Sequence, residues 1–278
     1  HTAQPGDGYF MLMIQPNIDQ ELKRSPPREI TFLVDVSGSM SGLPTEKVKQ
    51  AMRLFLDRVT PNDRIQVVTF ANNATRLFDK PVPATVENVT RAMGFTKATQ
   101  GSGGTEMLKG IRAAIADPID PDRVRIVVML TDGYIGNEAE IINEVGRRCG
   151  DHIRFWTIGI GSSPNRFLSD GVAKQGGGMS AVLGLTEDPT ELVASIIERI
   201  HRAQLANITI DWGILGVHAT YPAKIPELWA GRPVILFGRY EAGGQRTIHI
   251  RGTVEGEPVS LPLAVHFPTS ESSHEVLA

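Results

Sequence analysis

Two aspartates and three hydroxyl side chains, spread over nearly a hundred residues, are the groups in this chain best suited to act together chemically. They stand in three short segments: Asp35-Val36-Ser37-Gly38-Ser39, Gly103-Gly104-Thr105 and Thr131-Asp132-Gly133. All are hard oxygen donors with no thiolate or imidazole among them, a set that favours Mg²⁺ or a similar hard dication, with Mn²⁺ or Ca²⁺ as alternatives, over zinc or copper. Asp35 and Asp132 offset the charge of a dication, while neutral Ser37, Ser39 and Thr105 add coordination without quenching its remaining Lewis acidity. Such a centre still attracts an anion, and a carboxylate brought by a partner protein would replace one of its waters. Glycines at 38, 104 and 133 let the backbone approach closely in a crowded loop. Each residue has an ordinary use as well. Thr105 before Glu106-Met107-Leu108 suits a helix N-cap, Ser37 and Ser39 could cap a following helix, and Asp132-Gly133 suits a turn. Taken singly, these uses are the commoner ones; taken together and in this order, the five residues favour the metal.

A metal site requires elements that bring the three segments to one place. From about residue 28 to 203, short apolar runs alternate with segments of helical period, the pattern of a mostly parallel, doubly wound sheet covered by helices. Strands are predicted over 30–36, 65–70, 124–130, 153–160 and 179–183. A helix is predicted over Thr45–Val59, where Val48, Met52, Phe55, Leu56 and Val59 share one face and Pro44 suits the first turn. Further helices are marked by Leu108, Ile111 and Ile115, by Ile141, Ile142 and Val145, and by Leu192, Val193, Ile196, Ile197 and Ile200. In a doubly wound sheet the carboxyl ends of the strands share an edge, so Asp35 and Asp132 can meet there.

Outside this block the texture changes. Residues 8–18 read as one extended run, and 207–267 hold alternating stretches over 233–240, 245–252 and 258–265, broken by Gly and Pro. The chain is therefore expected to form an α/β domain over 28–203 inserted into a small antiparallel β-sandwich built from both flanks, 8–27 and 204–268. Residues 269–278 read as a polar, mobile tail.

Composition bounds the function. The 278 residues carry 28 Lys plus Arg against 31 Asp plus Glu, a net charge of −3 with no basic stripe, which gives nucleic-acid binding little support. Cys149 is the single cysteine, so internal disulfides and thiolate zinc sites are excluded. No apolar run approaches the roughly 20 residues of a membrane span. The chain begins with His1, without an initiator Met or a leader, and reads as a processed or excised piece. The seven histidines are scattered and form no pair at helical metal-binding spacing. Three segments, at Asn73, Asn88 and Asn207, match the glycosylation pattern and matter only in a eukaryotic secretory setting.

Asp35-x-Ser37-x-Ser39, Thr105 and the Asp132 of Thr-Asp-Gly resemble the complete metal-ion-dependent adhesion site of von Willebrand factor type A domains, over about residues 28–203. The resemblance implies a Rossmann-like fold with Mg²⁺ at the top edge of the sheet. It further implies that Ser37, Ser39 and Thr105 are direct or near-direct ligands, that Asp35 and Asp132 bind directly or through water, and that protein partners donate an acidic side chain. Pro27-Arg28-Glu29-Ile30, Leu130–Glu138 and Pro226–Pro233 resemble the heavy chains of inter-α-trypsin inhibitor and their bacterial relatives, which implies an extracellular or cell-envelope setting. The low cysteine count points to a bacterial source. The last helix, about 189–204, leads directly into the β region, and this connectivity, as similar domains suggest, would let a shift of the helix couple partner pull or domain angle to the metal loop.

The expected function is non-enzymatic, cation-dependent protein binding. One alternative is an aspartyl-phosphate phosphohydrolase, which also places an Asp at the end of a first strand and uses Mg²⁺. Its usual second acid is Ser37 here, leaving Lys109 and Asp132 as an incomplete set. A Gly-x-Ser-x-Gly elbow is absent around Ser39, and Gly101–Gly104 lacks the ending of a phosphate loop. A structural scaffold with an unused site is the third reading.

Overall fold

The computed structural model describes residues 8–15, 27–120, 123–133, 135–149, 153–201, 205–223, 225, 228, 233–254 and 257–268. In chain order, β1 (Gly8–Ile14) is followed by β2 (Arg28–Asp35), α1 (Leu43–Leu56), β3 (Arg64–Phe70), β4 (Ala74–Arg76) and β5 (Val82–Pro83). Next come α2 (Val86–Ala98), α3 (Met107–Ala114), β6 (Val124–Thr131), α4 (Glu138–Arg148), β7 (Ile153–Ile160), α5 (Arg166–Gln175), β8 (Ser180–Leu183) and α6 (Pro189–His201). The remaining strands are β9 (Ala206–Asp211), β10 (His218–Tyr221), β11 (Val234–Tyr240), β12 (Gly244–Val254) and β13 (Glu257–Phe267). The chain divides into two compact units, one of residues 26–198 and one of 1–25 with 199–278.

The first unit is built on a seven-stranded sheet ordered β4-β3-β2-β6-β7-β8, with β5 also pairing to β3. β2, β3, β6, β7 and β8 run parallel, and β4 and β5 are short antiparallel additions at one edge. Every residue of β2 is buried, as expected of a central parallel strand covered on both faces. Its alternate residues divide between two layers. Leu33 joins Val68, Val127, Met129 and Phe155 beneath α3, α4 and α5 through Met107, Ile111, Ile141, Val145, Leu168 and Val172. On the opposite face Phe32 meets Phe55 of α1 with ring centroids 5.7 Å apart. Charges buried at the amino end of β2 are matched: Arg28 donates Nε and Nη2 to the two carboxylate oxygens of Asp63 at 2.8 and 2.7 Å, and Arg125 pairs with Glu29. A buried charge without such a partner would be strongly destabilising.

The expected parallel strands and amphipathic helices are present, with shifted ends. The first helix runs over Leu43–Leu56, not Thr45–Val59. Two helices, α2 and α5, are present beyond those expected from the sequence. α2 buries only Ala92 and Thr96, which leaves little apolar period to read, whereas α5 buries Leu168, Ser169, Val172 and Ala173 on one face. Both are opened by side-chain caps, Thr85 accepting from the Asn88 amide and Asn165 from the Leu168 amide.

The second unit contains two three-stranded antiparallel sheets, β1-β11-β10 and β13-β12-β9. β1 pairs along its whole length with β11, from Gly8 opposite Tyr240 to Ile14 opposite Val234, so segments that precede and follow the first unit in sequence share one sheet. Ile14, Val234 and Leu236 of one sheet bury against Ile208 and Ile250 of the other, and Phe10, Tyr240, Ile248 and Phe267 form a second apolar cluster. The expected tail at 269–278 lies outside the described residues.

Candidate metal centre

Asp35 is the last residue of β2, and Thr131 the last of β6, which pairs in parallel beside it. The parallel register carries Asp35 and Thr131–Asp132 to the same carboxyl edge of the sheet. Thr131 then fixes both: its hydroxyl donates to Asp35 Oδ2 at 2.5 Å and accepts from the Gly133 amide at 2.9 Å. The other oxygen of Asp35 accepts from the Ser37 amide at 2.9 Å, which folds the chain back so that Ser37 Oγ and Ser39 Oγ lie 3.2 Å apart.

Thr105 reaches this edge through its loop. The Ser102 amide donates to the Val36 carbonyl at 2.8 Å, the Gly38 amide to the Gly103 carbonyl at 3.0 Å, and Ser41 Oγ to the Gly101 carbonyl at 2.8 Å. Gly101 must be glycine, because a Cβ there would stand 2.6 Å from the Ser41 nitrogen and 2.8 Å from the Ser37 carbonyl oxygen. Asp35, Ser37 and Asp132 are buried, Thr105 is half-buried and Ser39 is exposed. The loops therefore present oxygens at an open rim above a closed floor. A separate open groove of about 670 Å³, lined by Glu140, Asn143, Gly146, Arg147 and Gln175, contains none of these residues.

The ordinary uses of these side chains receive little support from the local geometry. The short helical turn Gly38–Met40 starts after Ser37 without a side-chain cap, and α1 is preceded by Gly42. The helix after Thr105 begins at Met107 and not at Thr105; Glu106 holds the cap position, again without a side-chain bond. Gly133 adopts φ +73°, a conformation that favours glycine.

Electrostatics distinguish Asp35 from the other acids. Burial pushes its carboxyl above the ordinary value, bonds from Ser37 and Thr131 pull it partly back, and the charge of Asp132 raises it further. Among the described residues no Lys or Arg forms an ion pair with it. Buried carboxylates are ordinarily paired with a cation or bound to a metal. The donor set fits such an ion in type and charge: hard oxygens, two acids of which one lacks a counter-charge, and neutral hydroxyls beside them. No group of three or more His, Cys, Asp or Glu side chains forms a metal cluster among the described residues. Cys149 is buried, and burial pushes its thiol up to about 12, which makes it an inert packing residue.

Two residues at this edge have no function readable from the motif. Asn165, the cap of α5, donates its backbone amide to the Asp132 carbonyl at 3.0 Å and its Nδ2 to the Gly133 carbonyl at 3.1 Å. Asn72, just beyond β3, accepts the Gly104 amide on Oδ1 at 2.7 Å. Asn165 is of a type favoured at helix N-caps; nothing in the sequence marks Asn72.

A family model described as the von Willebrand factor type A domain matches residues 28–182. The chain belongs to that family. A von Willebrand factor A domain-containing protein of Dictyostelium discoideum is 30% identical over 250 residues, covering 88% of this chain and 27% of its own length. The human inter-alpha-trypsin inhibitor heavy chain H4 is 23% identical over 268 residues, covering 92% of this chain and 28% of its own. The chain thus spans roughly a quarter of each of these relatives. Among solved structures, a von Willebrand factor type A protein from Catenulispora acidiphila superposes with a TM-score of 0.67 at 13% identity, covering 99% of this chain and 75% of that one. These likenesses establish the type A fold and agree with the resemblance to inter-α-trypsin inhibitor heavy chains. Type A domains commonly serve as metal-dependent interaction modules. No described helix is long and apolar enough to cross a membrane.

Proposed function

We propose that this von Willebrand type A domain is a non-enzymatic protein-binding module whose Asp35, Ser37, Ser39, Thr105 and Asp132 hold a divalent cation, Mg²⁺ by preference and Mn²⁺ or Ca²⁺ as alternatives. The observation that carries this reading is the buried, unpaired carboxylate of Asp35, with Asp132 near enough to raise its pKa further and the Ser37 and Ser39 hydroxyls gathered beside it. When bound, the ion supplies a Lewis-acid position for an oxygen anion of a partner. Asp35 and Asp132 balance its charge. The three hydroxyls add oxygen without adding charge, and this leaves attraction for the partner's carboxylate. Thr131 holds the orientation of Asp35, and the exposed Ser39 and glycine loops leave the approach open.

An acidic protein partner suits an open rim better than a small substrate, which usually requires a concave pocket. The phosphohydrolase reading is weaker. Position 37 is serine, and Lys109 donates to the Asn72 carbonyl at 3.0 Å and lies 3.7 Å from Glu106. The module is taken as residues 28–203, with 8–27 and 204–268 forming a β-sandwich carrier. By resemblance it works outside the cell or in the cell envelope.

Titration calorimetry with MgCl₂ tests the site. One binding event is expected, lost in Asp35→Ala and Thr105→Ala while circular dichroism stays that of the folded protein, because these residues lie at the carboxyl edge of the sheet and outside its apolar cluster. Absence of binding by Mg²⁺, Mn²⁺ and Ca²⁺ alike would leave a scaffold. Mg²⁺-dependent turnover of an aryl phosphate that Asp35→Asn abolishes would make the protein an enzyme.

A further inference from the structure

We infer that Asn72 is the positioning residue for Thr105. The inference rests on the metal-site reading and extends it to a residue outside the donor set. Asn72 sits in the tight turn between β3 and β4, a segment joined covalently to none of the donor loops. Three bonds nevertheless tie this turn to the segment bearing Thr105. The Gly104 amide donates to Asn72 Oδ1 at 2.7 Å, the Glu106 amide to the Ala71 carbonyl at 2.7 Å, and Lys109 Nζ to the Asn72 carbonyl at 3.0 Å. Two of these bracket Thr105 on either side. The turn itself is closed by the Ala71 amide donating to the Asn73 carbonyl at 3.1 Å.

The glycines before Thr105 take their meaning from the same contact. A Cβ on Gly103 would stand 2.8 Å from Asn72 Nδ2, and one on Gly104 would stand 2.9 Å from its Oδ1. Gly103 also adopts φ +81°. The Gly-Gly pair thus clears room for one side-chain amide, and that amide grips the peptide next to Thr105. Gly103 is held from its other side by the Gly38 amide, 3.0 Å from its carbonyl, within the loop that carries Ser37 and Ser39. Asn72 is exposed, and its side-chain oxygen is taken up by the peptide next to Thr105. Residues that orient a ligand from behind typically alter metal affinity by about 10- to 100-fold when removed.

The test is Mg²⁺ titration of the 278-residue chain and of four variants: Asp35→Ala, Asn72→Ala, Asn72→Asp and the double variant Asn72→Ala/Asn73→Asp. Asn72→Ala is expected to raise the Mg²⁺ Kd by about tenfold or more, with the melting temperature in EDTA nearly unchanged. Asn72→Asp keeps an oxygen for the Gly104 amide and is expected to restore affinity. The double variant adds the same charge one residue along without that acceptor and is expected to remain weak. Wild-type affinity in Asn72→Ala, with binding lost in Asp35→Ala, overturns the inference and leaves the metal site standing. Failure of Asn72→Asp to restore binding, or recovery in the double variant, also overturns it. A wild-type chain that takes up no Mg²⁺ removes the metal site itself, and the inference with it.

Discussion

Asp35 carries its negative charge at a position where folding removes water and adds a second acid. Its folded pKa lies above the ordinary 3.8, so the ionised form opposes folding. The penalty is absent below the unfolded value, where the group is protonated in both states, and fully present above the folded one. Metal-free protein is therefore expected to lose stability as pH rises through that window, the opposite of the usual carboxylate trend, and the rise in melting temperature on adding Mg²⁺ is expected to grow over the same window. Asp35→Asn separates the terms. In EDTA at pH 7 it is expected to melt at or above the wild-type temperature, and to show no shift with Mg²⁺. A variant less stable than wild type in EDTA and still responsive to Mg²⁺ would contradict the assignment. The five proposed donors could be named from the sequence because their side-chain types and their places at strand ends are both legible. Asn72 and Thr131 could not, because their contributions are hydrogen bonds between segments distant in the chain, and nothing local records them.

At the scale of elements, the site is set by what ends each strand. α5 begins at Asn165, whose side chain accepts from the Leu168 amide and donates to the Gly133 carbonyl, and whose amide donates to Asp132. One residue thus caps a helix and clips the Asp132 loop. Asn165→Ala is expected to lower the urea midpoint by the equivalent of about 1 kcal/mol without a change in m-value. It is also expected to weaken Mg²⁺ binding more than Thr85→Ala, which removes the corresponding cap from α2 away from the site. Strands β2, β3, β6 and β7 were readable because buried parallel strands are nearly continuous runs of Val, Ile, Leu and Phe. α1, α3 and α4 were readable from their 3.6-residue stripes. α2 and α5 were not: α2 buries only Ala92 and Thr96, and in α5 close packing selects small residues, a Cβ on Gly171 standing 2.3 Å from Ile142. α3 starts one residue beyond the place that a Thr105 cap implies, because Glu106 takes the cap position and Thr105 stays in the loop.

At the scale of the molecule, every proposed donor falls within residues 26–198, while the flanking strands build a unit with its own apolar clusters. Leu236 is fully buried between the small sheets. Leu236→Ala is expected to destabilise that unit by about 2–5 kcal/mol, read by hydrogen exchange over β9, β11 and β12, and to leave the Mg²⁺ Kd unchanged. A parallel loss of metal affinity would mean that the two units are coupled energetically. The pairing of residues 8–14 with 234–240 was legible only as a need: the early run is too short to stand alone, and the late strands were the available partners.

The loops at the sheet edge are stapled to one another by hydrogen bonds that involve no ion: Gly38 to Gly103, Ser102 to Val36, Thr131 to Asp35 and Asn165 to Gly133. An ion arriving there would not have to organise the chain around itself. On the reading proposed above, the pace of uptake would belong to the visitor and not to the host. Mg²⁺, which sheds water reluctantly, would enter more slowly than Ca²⁺, and stopped-flow traces would rank the ions by how readily they dehydrate.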